Sequence, residues 1–429
     1  MLNTILRTIE RFIPKKLYRL GQPIYHWKLA LLGALFYRFP SRSIKVVAVT
    51  GTKGKSSTVE LINAVLEEAG YTTAVLGTIR FKIADKEERN LYKMTIPGRF
   101  FVQRFLRRAV SAGCDWAILE MTSEGAKQFR HKWIDFDALV FTNLAPEHIE
   151  SHGSYEKYRD AKLSIARQLA KSHKNGTVIV ANADDPESGL FLRVGATYAL
   201  PFSLSQANVL RVGQTASTFS YKGVPFEVPL AGQFNVYNAL AAIVFCESQN
   251  IPLAVIAQGL SRVQQIRGRA EFIREGQDFD VVVDYAHTPD SLMALYGAFK
   301  ESTNICVLGN TGGGRDTWKR PEMAHIAEEY CAHMILTNED PYDEDPKKIL
   351  DEMAAGVESK EKLHIILDRR EAIREALKSA AYLRAQDRKK RVAVLITGKG
   401  TDPYIMGPRG EKLPWDDATV VREELKALH

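Results

Sequence analysis

From residue 44 onward the apolar positions of this chain change their period repeatedly. Runs rich in Val, Ile, Ala and Leu at 44–50, 73–77, 115–121, 137–142 and 177–181 predict buried strands. Between them, 56–69, 98–113 and 156–172 repeat apolar residues at helical spacing. Strands and helices in alternation predict a mainly parallel sheet covered by helices. The stretch 201–229 is richer in turn formers and β-branched residues and predicts a small antiparallel patch, followed by a helix over 235–249. A second series then begins, with strands at 279–285, 303–309, 332–337, 363–367 and 391–397, and helices at 289–300, 320–331, 345–356 and 369–380. A chain of 429 residues exceeds one ordinary core. The expected organisation is an arm at 1–43, a central α/β domain at 44–267 and a C-terminal α/β domain at 268–429, with a cleft between the last two.

Residues 1–43 follow a different pattern. Leu2, Ile5, Leu6, Ile9, Phe12 and Ile13 recur at helical spacing with Arg7 and Arg11 opposite, Pro14 marks the expected end, and a second apolar run covers 29–37. That run is far shorter than the roughly 20 residues a spanning helix needs. Basic residues interleave with the apolar ones and no small-residue cleavage site follows, so a secretory leader is not expected. Two expectations stay open for the arm: helices packed on the body or on a second subunit, or peripheral contact with an anionic membrane.

The formal charge of +7 points towards nucleic acid only until it is located. Residues 1–45 hold nine Lys or Arg against Glu10, a net +8, while the remainder has 49 basic against 50 acidic residues, a net −1. A body without excess positive charge is not expected to bind nucleic acid. Cys114, Cys246, Cys306 and Cys331 stand apart with no CxxC pair, which argues against a sequence-local zinc cluster or a disulfide framework and fits a reducing cytoplasm.

The stretch VVAVTGTKGKSST at 46–58 runs from a strand through two glycines into a helix start. The general Walker pattern wants glycine where this chain has Val49. The shorter loop still supplies what a polyphosphate needs. Gly51 and Gly54 let backbone N–H groups approach, Lys55 reaches outer phosphates, and Ser56 and Ser57 offer hydroxyls at a helix N-terminus.

This loop resembles that of the Mur ligases and of folylpolyglutamate synthase, ATP-dependent enzymes that join an amine to a carboxylate. The resemblance continues in order through ILEMTSEGAKQFR at 118–130, FTNLAPEHIESHGSYEKYRDAK at 141–162, NADD at 182–185, GQFNVYNALAA at 232–242, GRAEF at 268–272, VDYAHTPDSL at 283–292, LGNTGGGRDTWKRPEM at 308–323 and ITGKG at 396–400. Within the family the chain looks most similar to the tripeptide-synthetase branch, through DYAHTPDSL and GGGRDTWKRP. The resemblance implies a P-loop ATPase-like parallel-sheet domain followed by a Rossmann-like α/β domain. It also implies ATP, two Mg²⁺ ions, a peptide acceptor that is a small molecule or lipid-linked, and an amino acid. A cytoplasmic location, or one peripheral to the inner face of a membrane, is expected.

The resemblance also implies roles. Gly51, Thr52, Lys53, Gly54, Lys55, Ser56 and Ser57 hold the nucleotide, with Asn143, Asn235, Asn238, Arg269, Asp284 and His287. Metal ligands are Ser56, Glu120, His148 and Lys162, the last if carbamylated. Lys55, Glu120, His148, Lys162 and Arg269 serve catalysis, and Ser123, Arg130, Tyr342 and Asp402 meet substrate. Asn235 and Asn238, at i and i+3, equally suit helix capping, and unmodified Lys162 suits a helix surface. Lys319 and Arg320 fall on the family's KRP segment.

Departures from the family concern the substrate. Only some 43 residues precede the core where relatives carry a domain for the uridine nucleotide. The amino-acid selecting DNPR of diaminopimelate enzymes is here Glu339-Asp340-Pro341-Tyr342, without the arginine for the distal carboxylate and followed by Asp343, Glu344 and Asp345, so a basic amine is an equal expectation. SSHG reads Thr122-Ser123-Glu124-Gly125, and GKGHE reads Gly398-Lys399-Gly400-Thr401-Asp402. The leading expectation is an amide ligase acting through an acyl phosphate on a peptidoglycan-type precursor. Ligation outside murein synthesis and a non-catalytic, membrane-associated nucleotide binder are the alternatives.

Overall fold

A computed structural model describes residues 15–428, so the helix expected at 2–13 lies outside the described residues. The second apolar run belongs to a longer helix than its length suggested, α1 (Lys15–Phe36), which runs through Pro23.

The first sheet opens with β1 (Lys45–Thr50), followed by α2 (Lys55–Glu68), β2 (Thr73–Leu76), β3 (Arg80–Ile83), β4 (Lys86–Arg89), α3 (Arg99–Ser111) and β5 (Trp116–Met121). It continues with α4 (Ser123–Lys127), β6 (Ala138–Phe141), α5 (Ile149–His152), α6 (Tyr155–Leu169), β7 (Val178–Asn182), α7 (Ser188–Leu192) and β8 (Tyr198–Phe202). Its strand order is β4-β3-β2-β5-β1-β6-β7-β8, parallel except for the β3–β4 hairpin at one edge. Both faces are covered, which explains why these strands read as apolar runs rather than alternations. Val47 and Val49 face one core with Leu61, Ile62 and Val65 of α2, while Val46 and Ala48 face the other with Leu106 of α3 and Ile165 of α6.

The expected antiparallel patch is β9 (Ala207–Val212), β10 (Ser217–Tyr221) and β11 (Val224–Val228). Helices α8 (Gln233–Ser248) and α9 (Leu253–Ser261) follow and pack on α2. The second sheet uses β12 (Glu271–Phe272), β13 (Asp280–Val283), β14 (Thr303–Leu308), β15 (His333–Leu336), β16 (Leu363–Ile365) and β17 (Val392–Ile396) in the order β12-β13-β17-β14-β15-β16. Its helices are α10 (Pro289–Ala298), α11 (Lys319–Tyr330), α12 (Pro346–Ala354) and α13 (Arg369–Gln386). A ribbon of β18 (Tyr404–Met406) and β19 (Lys412–Pro414) and then α14 (Asp417–Leu428) end the described chain.

The β3–β4 hairpin, α9 and α14 were not expected. β4 is Lys-Glu-Glu-Arg, with no apolar residue to set a period, and it forms because β3 supplies the ladder. The cysteine expectation is corrected. Cys306 in β14 and Cys331, just past α11, are joined as a disulfide with Cα atoms 6.0 Å apart, while Cys114 and Cys246 are free and buried. A helix crossover of 25 residues separates the bonded pair, so no local spacing betrayed it. Among the described residues no helix is long and apolar enough to cross a membrane.

Candidate active site

In open parallel sheets ligands gather at the carboxyl ends of strands where the winding direction reverses. Here β1 leads through α2 to β2 on one side, and β6 lies on its other side. The loop 51–54 leaves β1 at that point, Glu120 sits near the end of β5, and Thr142 and Asn143 follow β6. The carboxyl ends of the second sheet face them across a cleft of about 720 Å³.

The loop is held open by its neighbours. Asn143 receives the Lys53 N–H at 2.9 Å and its amide donates to Lys53 O at 3.1 Å, while the Thr142 hydroxyl donates to the same carbonyl at 2.6 Å. Two positions demand glycine. A Cβ on Gly54, at φ +80°, would stand 2.2 Å from Asn238 Oδ1, and one on Gly51 would stand 1.9 Å from Thr142 Oγ1. Lys55 Nζ donates to Thr52 O at 2.9 Å, and burial pulls its pKa down.

Ser56, the second residue of α2, donates to Glu120 Oε1 at 3.1 Å, and the Thr78 N–H fixes Glu120 Oε2 at 2.8 Å. Arg269, from beyond the cleft, donates to the same Ser56 hydroxyl at 3.1 Å and lies over the Tyr285 ring. The two halves also meet at Glu147, which lies 3.2 Å from Lys53 Nζ and 3.0 Å from His287 Nε2. Burial works to raise the Glu147 pKa, but Lys53 and the bond to His287 outweigh it and hold the carboxylate well below its usual range. Asp316 adds a third link by accepting the N–H groups of His148 and Glu150 at 3.0 and 3.2 Å.

Most expected residues converge on this cleft. Thr52, Lys53, Gly54, Lys55, Ser56, Ser57, Glu120, Arg130, Asn143, His148, Asn238, Arg269, Asp284, His287 and Asp402 all line it. Gly51, Ser123, Lys162, Asn235 and Tyr342 are not part of that lining. Lys162 stands behind the loop, buried, donating to Gly51 O at 2.6 Å. Asn235 donates to Ala231 O and receives Asn238 Nδ2 at 3.0 Å, so this asparagine pair braces a helix start. Ser123 is buried, and the neighbouring Thr122 and Glu124 face the cleft instead. Asp284 accepts the N–H groups of Ala270 and Ala286, both at 2.6 Å, and shapes the turn after β13. Lys319 reaches His287 O at 3.0 Å, whereas Arg320 is buried against Glu344 and Glu352.

The acidic segment after Pro341 corrects an expectation. Asp343 accepts the Arg409 N–H, Glu344 pairs with Arg320, and Asp345 caps α12, so these three carboxylates are committed to local structure. Asp402 lines the cleft and Asp340 is buried beside it, and Lys93 pairs with both, next to Lys399. Lys93, Glu147, Arg315 and Asp316 were all missed. Nothing in one sequence distinguishes a loop lysine that crosses a cleft from one in solvent. GGGRD, however, carried Arg315 and Asp316 in plain view. Arg315 lines the cleft 5.6 Å from the Tyr342 ring centroid, with no carboxylate in ion-pair range among the described residues.

For a divalent cation, Ser56 and Glu120 offer hard oxygen donors beside the phosphate loop, which fits Mg²⁺. Among the described residues no three His, Cys, Asp or Glu side chains gather as a group that could hold a metal ion. Burial pulls His148 down to about 4, so its imidazole is neutral and able to act as a ligand at neutral pH.

A phosphate loop facing basic and acidic groups on a second sheet, across one cleft, is the arrangement of a nucleotide-dependent enzyme. The chain belongs to the Mur ligase family, matching the Mur ligase middle domain over residues 49–246 and the Mur ligase glutamate ligase domain over 268–400. It is 36% identical to UDP-N-acetylmuramoyl-L-alanyl-D-glutamate–2,6-diaminopimelate ligase of Syntrophomonas wolfei, over 93% of this chain and 81% of that one. It is 37% identical to UDP-N-acetylmuramyl-tripeptide synthetase of Roseiflexus sp., over 93% and 82%. A solved diaminopimelate ligase of the first kind aligns with TM-score 0.59 at 29% identity, over 90% of this chain and 79% of that one. Mycobacterium tuberculosis folylpolyglutamate synthase shares the fold, with TM-score 0.69 at 18% identity, over 87% and 92%. The chain is therefore an ATP-dependent, ADP-forming carboxylate–amine ligase.

Proposed function

We propose that this ligase adds an amino acid to the peptide of a UDP-linked peptidoglycan precursor, with residues 44–267 and 268–429 closing on the substrates as two bodies. The observation that carries this is the Arg269 guanidinium bonded to Ser56 at 3.1 Å, which puts a cation from the second sheet at the phosphate loop of the first.

A carboxylate is a poor electrophile until its oxygen becomes a leaving group. Phosphoryl transfer from ATP supplies that, and the amine then displaces phosphate from the acyl phosphate. Two anions must approach for the first step. Lys55 and Arg269 screen them and stabilise charge that develops in transfer. Ser56 and Glu120 would hold Mg²⁺, which supplies further charge neutralisation there. His148 and Lys162 would hold a second ion, with Lys162 as its carbamate. Burial and the neighbouring Lys55 hold the Lys162 pKa well below normal, which favours the neutral amine that carbon dioxide modifies. Arg130, a cation at the cleft wall, faces the acceptor's carboxylates, and Arg315 receives the carboxylate of the incoming amino acid. Closure would keep water from the acyl phosphate.

The test is ADP and phosphate release with ATP, Mg²⁺ and paired panels of acceptors and amino acids. Turnover only when both partners are present is expected. UDP-linked and lipid-linked peptides form separate arms, and turnover confined to the lipid-linked arm would reject the UDP carrier. Persistent nucleotide binding without turnover in any pair would reject the ligation proposed. Bicarbonate depletion is expected to lower activity if Lys162 is carbamylated.

A further inference from the structure

Helix α1 has two apolar faces, and among the described residues only one is covered. Ala30, Gly33 and Ala34 pack on α3, close enough that a Cβ on Gly33 would lie 3.5 Å from Phe100 Cα. Arg107 of α3 ties the helix end by donating to Tyr37 O at 3.0 and 2.7 Å, and Trp27 packs edge-on against Trp133. The orientation of α1 is thereby fixed. Ile24, Leu32, Leu35 and Phe36 then fall on the outer face at helical spacing and are 60, 54, 51 and 72% exposed. Large apolar side chains gathered on one fixed helix face mark an interaction surface rather than scattered exposure.

The charge around this stripe selects its occupant. Lys28 lies within the stripe, Arg38 follows it, and Arg104 and Arg108 are exposed on α3, one and two turns beyond Phe100. No acidic residue occurs between Glu10 and Glu60 or anywhere in α3, whereas the chain beyond residue 45 is net −1. An apolar helix face whose own helix and neighbour α3 carry cations and no acid suits the boundary of an anionic lipid layer, where chain burial and headgroup attraction add.

We propose that the outer face of α1, with the basic edge of α3, docks the protein flat on an anionic membrane surface. This does not depend on which acceptor the ligase uses. The test is co-sedimentation of the full chain with phosphatidylcholine vesicles, with and without phosphatidylglycerol, comparing wild type with Leu35→Glu/Phe36→Glu. Tyr382→Glu, at another exposed aromatic, is the control. The wild type and the control are expected to bind the anionic vesicles, and the double variant to lose at least about tenfold in partitioning while ligase turnover in solution is unchanged. Equal binding by wild type and double variant would overturn the proposal. So would equal binding of the wild type to neutral vesicles. Sedimentation velocity supplies a further check: a dimer that the double variant dissociates, with no vesicle binding, would assign the face to a second copy of the chain instead.

Discussion

The two ends of the cleft are built by different means. At the phosphate end, Gly51, Gly54, Thr142 and Asn143 fix the loop through backbone approach and uncharged hydrogen bonds. At the other end, where we propose the amine enters, Lys93, Asp340, Lys399 and Asp402 form a balanced charge cluster, with Arg315 beside it. Geometry of the first kind tolerates almost no substitution. Charges of the second kind can be exchanged one at a time, so substrate choice can drift while the nucleotide machinery stays put.

The largest expected effect lies at the phosphate end. Lys55→Ala is expected to lower kcat by about 10²–10³-fold, since one preorganised charge on the transferring group is lost. Steady-state ADP release, with circular dichroism to confirm folding, checks it. Next, Arg315→Ala is expected to raise KM for the amino acid by about 10–100-fold, the worth of a charge-assisted bond, with nucleotide affinity unchanged. A rise in KM for ATP instead would move Arg315 to the other end of the cleft. Lys93→Ala should act more weakly. Removing one of the two lysines that pair with Asp340 and Asp402 is expected to shift preference towards amino acids with a cationic side chain by about 2–5-fold, read as a ratio of kcat/KM values. The Lys93 pair spans the cleft, so the same variant is expected to weaken contact between the two halves.

The smallest effect is on stability. Burial pulls His148 to about 4 and His131 to about 3, against 6.5 unfolded. Between pH 6.5 and 4 the unfolded chain therefore binds more protons than the folded one. Stability is expected to fall on acidification across this window by up to ~1.4 kcal/mol per pH unit for each histidine. Urea midpoints at pH 7 and pH 5 measure it, and His131→Leu is expected to reduce the slope by about one proton.

What could be read without coordinates divides along the same line. The loop from Val46 to Ser57 is local, and strand, turn and helix each leave their mark within a dozen residues. The alternating series placed β1, β2, β5, β6, β7 and β13 to β17, most of them buried on two faces, and left out β3, β4, β8 and β12. Long-range pairings left no such trace. Glu147 looks like any acid until Lys53 and His287 are seen on either side of it, and Cys306 meets Cys331 only after a helix has returned the chain. Asp343, Glu344 and Asp345 misled for the converse reason, since a run of acids gives no sign that Arg320, Arg409 and a helix start have already claimed it.

Glu147 has one more consequence. Because a single carboxylate answers both to a lysine of the phosphate loop and to a histidine of the opposite wall, displacing either partner changes what the other experiences. Nucleotide affinity and contact between the two halves are therefore expected to depend on one another, and thermodynamic reciprocity requires each to alter the other by the same factor.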